Sequence, residues 1–472
     1  MSMSPLLDIG NTALTAQRIA LQVTSENISN VNTPGYSRQT ATFSPGPTYV
    51  TNGHAFGSGV MVSSIERSYD DFLQRQFLSA NAASGQAAVT DSALQMVQPL
   101  FNDLTTGVLG SSLQNFFSAW QDLTANPQGV PERQAVLSKA ENLLDDFHRT
   151  SRSLTDVKNN MNQTLEGVTS DINDALKQVA SLNIQIKQVE ALGGHANELR
   201  DQRDLLIRDL SQKVGVVAAE QSDGTITVSL PPPNGQTLVE QNNAATFSLQ
   251  ANAANSGYYD VMLTPVGAPM VNATSFVGGT DNTQGAIGGM LQIRDVVVNK
   301  YLADLDEFAS ALASQVNGAH AAGFDLSGAT GVNFFNASAT AAGLELNITS
   351  GSQIAAADTD PLGGGTGNNK NAQTIAGLYS QPMAMSSGNM TVAAFYNSLV
   401  GKVGVDVQQA GRAEIQSKAI INQLGNLRES LSGVSLDEEL VNLSKYQKAY
   451  EGAAKLINVG TEMMDTVLGL IR

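Results

Sequence analysis

The chain has 472 residues, 42% of them hydrophobic and only 15% charged, with a net charge of −17 and no cysteine. Such a length supports about three domains with real cores. The lack of cysteine excludes disulfides, thiolate metal sites and thiol nucleophiles; the acidic balance, without any run of Lys or Arg, excludes nucleic acid and anionic membrane as partners, both of which need basic clusters.

With so few charges, the surface has to be built largely from Ser, Thr, Asn, Gln, Ala and Gly. The opening segment MSMSPLLDIGNTALTAQ has neither the basic region nor the apolar core of a cleaved secretory signal. No stretch approaches the roughly 18 apolar residues of a membrane-spanning helix. Leu6, Ile9, Ala13, Ala16, Ala20 and Val23 follow a 3-4 heptad spacing, which predicts an amphipathic helix with a coiled-coil stripe. The same register lands on Asn27 and Asn30 within SENISNVNTPGYSRQ (25–39). There Thr33 precedes Pro34 and Gly35 allows a tight turn, so the helix is predicted to end near Val31.

From Arg67 to Val214 the pattern is helical again. Pro131–Glu132 is a helix start, and Met161, Leu165, Val168, Ile172, Ala175, Val179, Leu182, Ile186 and Val189 form a heptad stripe closed by Gly193–Gly194. A single helix over 132–191 would be a rod of roughly 90 Å at about 1.5 Å per residue, its stripe most simply a seam inside the chain. At Val214 the period changes: VGVVAAEQSDGTITVSL alternates about an Asp223–Gly224 hairpin turn, and strand-like sequence continues to about Gly285. A helix is predicted over 290–320, short strands and loops over 321–387, and helix again over 391–431.

The C-terminal segment mirrors the first. Leu443, Tyr446, Tyr450, Ala453, Ile457, Gly460, Met464, Val467 and Ile471 repeat the 3-4 spacing, and Ser435 with Glu438 has the spacing of a capping box. Outer helices at both ends, inner helices next and β-rich sequence in the middle predict an elongated, multi-domain α+β chain. Its N- and C-terminal parts form a helical, coiled-coil rod carrying β-rich insertions. The expected units are 1–35 with 434–472 (terminal helices); 36–213 with 285–323 and 388–433 (helical rod domain); 214–284 (β-rich outer domain); and 324–387 (loops and strands packed on the rod or the outer domain). A lone terminal helix has too little to bury its stripe against, so the ends are expected to be disordered in the monomer and to order among neighbours.

Chemistry is absent from this pattern. His54, His148, His195 and His320 are scattered and have no metal-ligand spacing; GAIGGM (285–290) has the wrong spacing for a nucleotide fingerprint. Asp145–Asp146 and Glu438–Glu439 sit where carboxylates cap or solvate helices. No catalytic residue, cofactor or metal is expected.

NISNVNTPGYSRQ is similar to the N-terminal signature of bacterial flagellar axial proteins (rod, hook and hook-associated), and SGVSLDEELVNLSKYQKAYEGAAKLI resembles their C-terminal signature. Long helical sequence after the first motif, with GGMLQIRDVVVNKYLADLDEFASALASQVNGAHAAGFD further on, makes the chain similar to the hook-associated protein 1 (FlgK) family. That resemblance implies a structural adaptor at the hook–filament junction, forming a ring of about eleven copies. It implies the hook protein and the second junction protein as neighbours, and export without signal cleavage by the flagellar type III apparatus to the cell exterior. It also implies a cytoplasmic chaperone on the C-terminal helix, for which Met463, Met464, Val467, Leu468 and Ile471 offer an apolar stripe. Self-assembly is assigned to the two stripes and to Pro34, Gly35 and Tyr36, with Asn27 and Asn30 expected to fix how subunits stack. Alternatives are another axial protein, a secreted coiled-coil effector or adhesin, or an enzyme hidden in the β insertion.

Overall fold

The computed structural model describes residues 4–51, 54–101, 109–279, 284–363, 367–386 and 388–470. Helix α1 (Ser4–Ser29) is followed by a long β-hairpin: β1 (Gln39–Pro45) pairs antiparallel with β4 (Val60–Arg67), and between them β2 (Thr48–Thr51) pairs with β3 (His54–Gly57). These strands begin the segment expected to be helical rod, which is helical only from α2 (Asp71–Val97) onwards. Asp70 caps α2, its carboxylate accepting the Leu73 amide at 3.0 Å.

The rod is built on α3 (Leu109–Ala125), α4 (Val130–Ala191) and α5 (Asn197–Lys213). Helix α4 is one helix of 62 residues, about 93 Å at about 1.5 Å per residue, with Pro131 in its first turn where no amide partner is lost. Of its heptad stripe, Met161, Leu165, Ile172, Val179, Leu182 and Ile186 are buried within the chain, whereas Val189 is exposed.

The insertion after α5 holds two small antiparallel sheets. One has the order β5 (Val217–Glu220), β6 (Ile226–Ser229), β7 (Thr237–Glu240), β8 (Asn243–Ala244); the other pairs β10 (Tyr259–Thr264) with β9 (Thr246–Ala251) and β11 (Val271–Asn272). Three asparagines about three turns apart on α4 hold this insertion by its backbone. Asn162 accepts the Tyr259 amide, Asn173 exchanges two hydrogen bonds with Phe247, and Asn183 does the same with Ile226. The amide side chain here imitates a strand's own donor and acceptor.

Helix α6 (Gly285–Gln292) passes through a π turn at Ile293–Val297 into α7 (Val298–Ala322). The GAIGGM glycines let backbones meet: an added Cβ on Gly289 would lie 2.9 Å from the Gln86 carbonyl of α2, and Gly285 adopts φ +71. Residues 324–363 and 367–386 then wrap the rod through α8 (Lys370–Gly377) and a short pairing of β12 (Met383–Met385) with β13 (Gly388–Met390). Arg133 of α4 donates to the Gly351 and Ile354 carbonyls, and Phe334 and Phe335 enter a cluster with Phe116, Trp120 and His320. This segment is therefore seated on the rod. Helix α9 (Val392–Ser432) runs antiparallel to α2, with Leu424 against Leu73 and Phe77, and α10 (Leu436–Leu470) returns alongside α1.

Candidate assembly site

Among the described residues no group of His, Asp or Glu could hold a metal ion, and no helix is long and apolar enough to cross a membrane. His320 is wholly buried, with Nδ1 against the Val332 carbonyl and Nε2 accepting the Ala355 amide; His148 bonds the Leu344 carbonyl; His54 and His195 are exposed. Both bonded histidines serve the packing of 324–386.

The two sequence signatures meet at one place. Helices α1 and α10 lie antiparallel: Gly10 packs against Ile457, Gly460 against Leu7, and Asn27 meets Glu439. The seam is narrow because its residues are small. Ala16, Ala20, Val23 and Ala453 are buried in it, and a Cβ on Gly10 would stand 2.6 Å from Ile457 Cγ1. Leu6, Ile9, Ala13, Leu443, Tyr446 and Ile457 are half-buried along it, with the Tyr446 ring 6.2 Å from Phe43 of the hairpin. Tyr450, Met464 and Val467 remain exposed, as do Leu440, Val441, Leu456, Val459, Met463 and Leu468. Ile471 lies outside the described residues.

At the inner end of this pair the motif 25–39 is tied down by polar contacts. Asn27 is 1% exposed and uses its full capacity inside the chain. Its amide nitrogen donates to the Gln39 carbonyl (2.9 Å) and Glu439 (3.2 Å), while its oxygen accepts the Gln39 amide (2.9 Å) and the Tyr36 hydroxyl (3.0 Å). Within the chain it fixes the register of α1 against the hairpin and α10. Asn30 is more local: it bonds the Glu26 carbonyl and accepts from Thr33, closing the helix end. Gly35 takes φ +86, a conformation that disfavours side chains, and its carbonyl accepts Arg428 of α9 at 2.7 Å. Pro34 is exposed and Tyr36 half-buried; burial, with Glu26, Glu198 and Asp201 nearby, pushes the Tyr36 phenol far above its ordinary range.

Helix α5 anchors the other side. Asp201 accepts the Ser37 amide (2.7 Å), the Ser37 hydroxyl (2.9 Å) and Arg67 (2.8 Å), and Asp204 accepts Arg67 at 2.7 Å. Burial works against the Arg67 charge, but Asp204 and Asp201 outweigh it and hold its pKa above the ordinary value. Gln39 reaches Glu198 at 2.7 Å and receives Asn197 at 2.9 Å. The C-terminal signature closes the network. The Arg38 amide donates to the Ser432 carbonyl, and the Arg38 guanidinium bonds Glu439 (2.8 Å) and Glu438 (2.9 Å). Sequence reading missed Arg38, Gln39, Asp201 and Glu439; Arg38 and Glu439 are charges inside the two signatures of a chain poor in charge, whereas Gln39 and Asp201 carried no such signal.

Three family models match. The helical domain of the flagellar hook-associated protein FlgK covers 94–335, the C-terminal domain of the flagellar basal body rod FlgEFG proteins 427–470, and the flagella basal body rod protein 7–36. The chain is 29% identical to flagellar hook-associated protein 1 of Bacillus subtilis, over 98% of this chain and 97% of that protein. It is 26% identical to the Escherichia coli protein of the same name, over 99% and 100%. The solved flagellar hook junction protein FlgK of Burkholderia pseudomallei shares the fold, with a TM-score of 0.67 at 17% identity over 76% of this chain and all of that one. A match to the FlgK helical-domain model over more than half of the chain, between two rod-protein signatures that meet in one network, makes this protein a member of the FlgK family of flagellar hook-associated proteins.

Proposed function

We propose that this chain is a non-enzymatic adaptor that joins the flagellar hook to the filament by assembling as a ring on the hook end. The observation that carries the reading is the half-finished terminal pair. Helix α1 covers one side of α10 and leaves the row Leu440, Val441, Leu456, Val459, Met463, Val467 and Leu468 in water. Contiguous apolar surface of this kind marks an interface, and head-to-tail copies closing on themselves generate a ring. The residues assigned to assembly are Leu6, Ile9 and Ala13 on α1 and Leu443, Tyr446, Tyr450, Ile457, Met464 and Val467 on α10, with Ile471 beyond the described residues; Ala16, Ala20 and Val23, buried in the seam, hold together the pair that neighbours would meet. The motif residues Asn27, Asn30, Pro34, Gly35 and Tyr36 set the direction from which the pair leaves the body.

The relatives' names support association with flagellar hook components; on this reading the hook protein lies below, the second junction protein above, and about eleven copies of the chain close the ring. Export by the flagellar type III apparatus, without signal cleavage, fits ends that lack a core of their own. A cytoplasmic chaperone would cover Met463, Met464, Val467, Leu468 and Ile471 before export. Deleting the gene should leave cells bearing hooks without filaments and releasing unpolymerised flagellin. Normal filaments on the deleted strain would overturn the reading in favour of a secreted effector or adhesin.

A further inference from the structure

We propose that Asn234, in the loop joining β6 to β7, is a site of spontaneous deamidation, where water replaces the side-chain amide without an enzyme. Asparagine followed by glycine leaves the next main-chain amide with the least steric cover. The chain holds three such pairs, at 52–53, 234–235 and 317–318, the first of which lies outside the described residues. In the other two the asparagine is half-buried and the glycine exposed, so access to water does not separate them. Backbone and bonding do. Asn317 lies inside α7, where the helix fixes ψ and engages the Gly318 amide in its own ladder. Phe335 holds both ends of the Asn317 carboxamide, donating to Oδ1 at 2.8 Å and accepting from Nδ2 at 3.0 Å.

Asn234 has neither restraint. It sits in a turn between two strands, and among the described residues its carboxamide has no hydrogen-bond partner; its main-chain oxygen alone is engaged, by Gln236 Nε2 at 3.3 Å. Gly235 takes φ +53, and a Cβ built there would meet nothing within 4 Å, so no neighbour screens its amide. That amide reaches the Pro231 carbonyl at 3.4 Å, the long limit of a hydrogen bond. Once the Gly235 nitrogen gives up its proton it attacks Asn234 Cγ and closes a cyclic imide, while Nδ2 takes up a proton and leaves as ammonia. Water then opens the imide at Cγ to give aspartate, or at the main-chain carbonyl of residue 234 to give isoaspartate. Either product adds one negative charge to a chain of net −17, and isoaspartate also lengthens the main chain by a methylene. Leu230, Leu238 and Val239 on either side of the loop are buried, so the sheet outlasts the change.

Deamidation at this loop does not depend on ring assembly, so its test and the deletion phenotype stand apart. Full-length protein is incubated at neutral and at mildly alkaline pH, in buffer and in guanidinium chloride. Peptide mapping by mass spectrometry, with electron-transfer fragmentation to tell isoaspartate from aspartate, then follows both pairs over time. In buffer Asn234 should convert at least tenfold faster than Asn317, and faster at the higher pH, because the attacking nitrogen must first lose its proton. In guanidinium chloride, where α7 no longer protects Asn317, the two rates should come within about threefold of each other. Gly235→Ala should slow conversion at 234 at least fivefold in both media, since its methyl hinders the attacking nitrogen whether or not the loop is folded. Asn234 intact in buffer while it converts in guanidinium chloride, Asn317 as fast as Asn234 in buffer, a tenfold gap that persists in guanidinium chloride, or a rate unmoved by Gly235→Ala would each overturn the proposal.

Discussion

Arg38 Nε donates to Glu439 Oε1 at 2.8 Å, closing a loop of 401 residues at the point where the two helical ends leave the rod. The N- and C-terminal signatures thus meet in one contact. The buried amide of Asn27 is the third member of this contact.

Replacing Asn27 tests how much that contact holds. Asn27→Ala leaves the Gln39 amide and carbonyl and one Glu439 oxygen without their partner. The expected loss is about 2–4 kcal/mol, because stranded buried groups, one of them charged, cost more than the bonds themselves contribute. Asn27→Asp should be worse, since it sets a carboxylate against Glu439. Urea titration followed at 4–29 by hydrogen exchange, with a double-mutant cycle to Glu439→Gln, measures the coupling; a coupling below about 0.5 kcal/mol would contradict it.

The seam between the terminal helices is set by glycine. A Cβ on Gly10 would lie 2.6 Å from Ile457 Cγ1, inside a stiff β-branched side chain, whereas one on Gly460 meets only the Leu7 Cδ2 tip at 2.9 Å. Gly10→Val should therefore abolish filament-bearing hooks, and Gly460→Ala should reduce them by a factor of two or less. Counting filaments per hook in complemented deletion strains checks the order of the two effects.

Asn183 of α4 should be the rod residue on which the β insertion depends most. It is wholly buried and serves Ile226, Gln241 and Arg203 at 2.9–3.0 Å. Asn183→Leu keeps the volume but strands two carbonyls, one amide and a buried guanidinium, for a loss of about 3 kcal/mol or more. Thermal unfolding read by circular dichroism should show the drop, with the 214–284 amides losing protection first.

His320 makes the packing of 324–386 sensitive to acid. Burial pushes its pKa below the ordinary 6.5, with Arg133 adding to the effect and the Val332 carbonyl and Asp325 opposing it. Below pH 6.5 the unfolded chain takes up a proton that the folded imidazole refuses. Stability therefore falls as pH drops from 6.5 towards the depressed folded value, and levels off beneath it. Trp120, the only tryptophan, has its ring 6.3 Å from His320 and reports on the site. Urea midpoints read by its fluorescence should fall between pH 6.5 and 5, and His320→Gln should flatten that limb.

Periodicity made the long elements legible. The stripe from Met161 to Ile186 declared α4 as one rod, and the change of period at Val214 declared the β insertion, because burial of one face leaves its repeat in the sequence. Polar specificity left no such trace. Asn162, Asn173 and Asn183 read as surface residues, yet each holds a strand, since an amide side chain is recognisable as a backbone mimic only when the strand is beside it. The hairpin over 39–67 was missed for a related reason. Pro45, Gly46, Pro47 and Gly57 to Gly59 interrupt its alternation, and its pairing runs through a bulge at Thr42–Phe43. At the assembly site the stripes were legible on both helices, but their mutual pairing, and the use of Glu438–Glu439 to grip Arg38, depend on contacts between opposite ends of the chain.

The most direct test of the central claim compares hydrogen exchange of residues 456–470 in the dilute monomer with the same amides after the protein has been seated on isolated hook ends. The account predicts fast exchange in the monomer and at least a hundredfold slowing in the assembled ring. Equal rates in the two states would show that neighbours do not complete the terminal helices, and would contradict it.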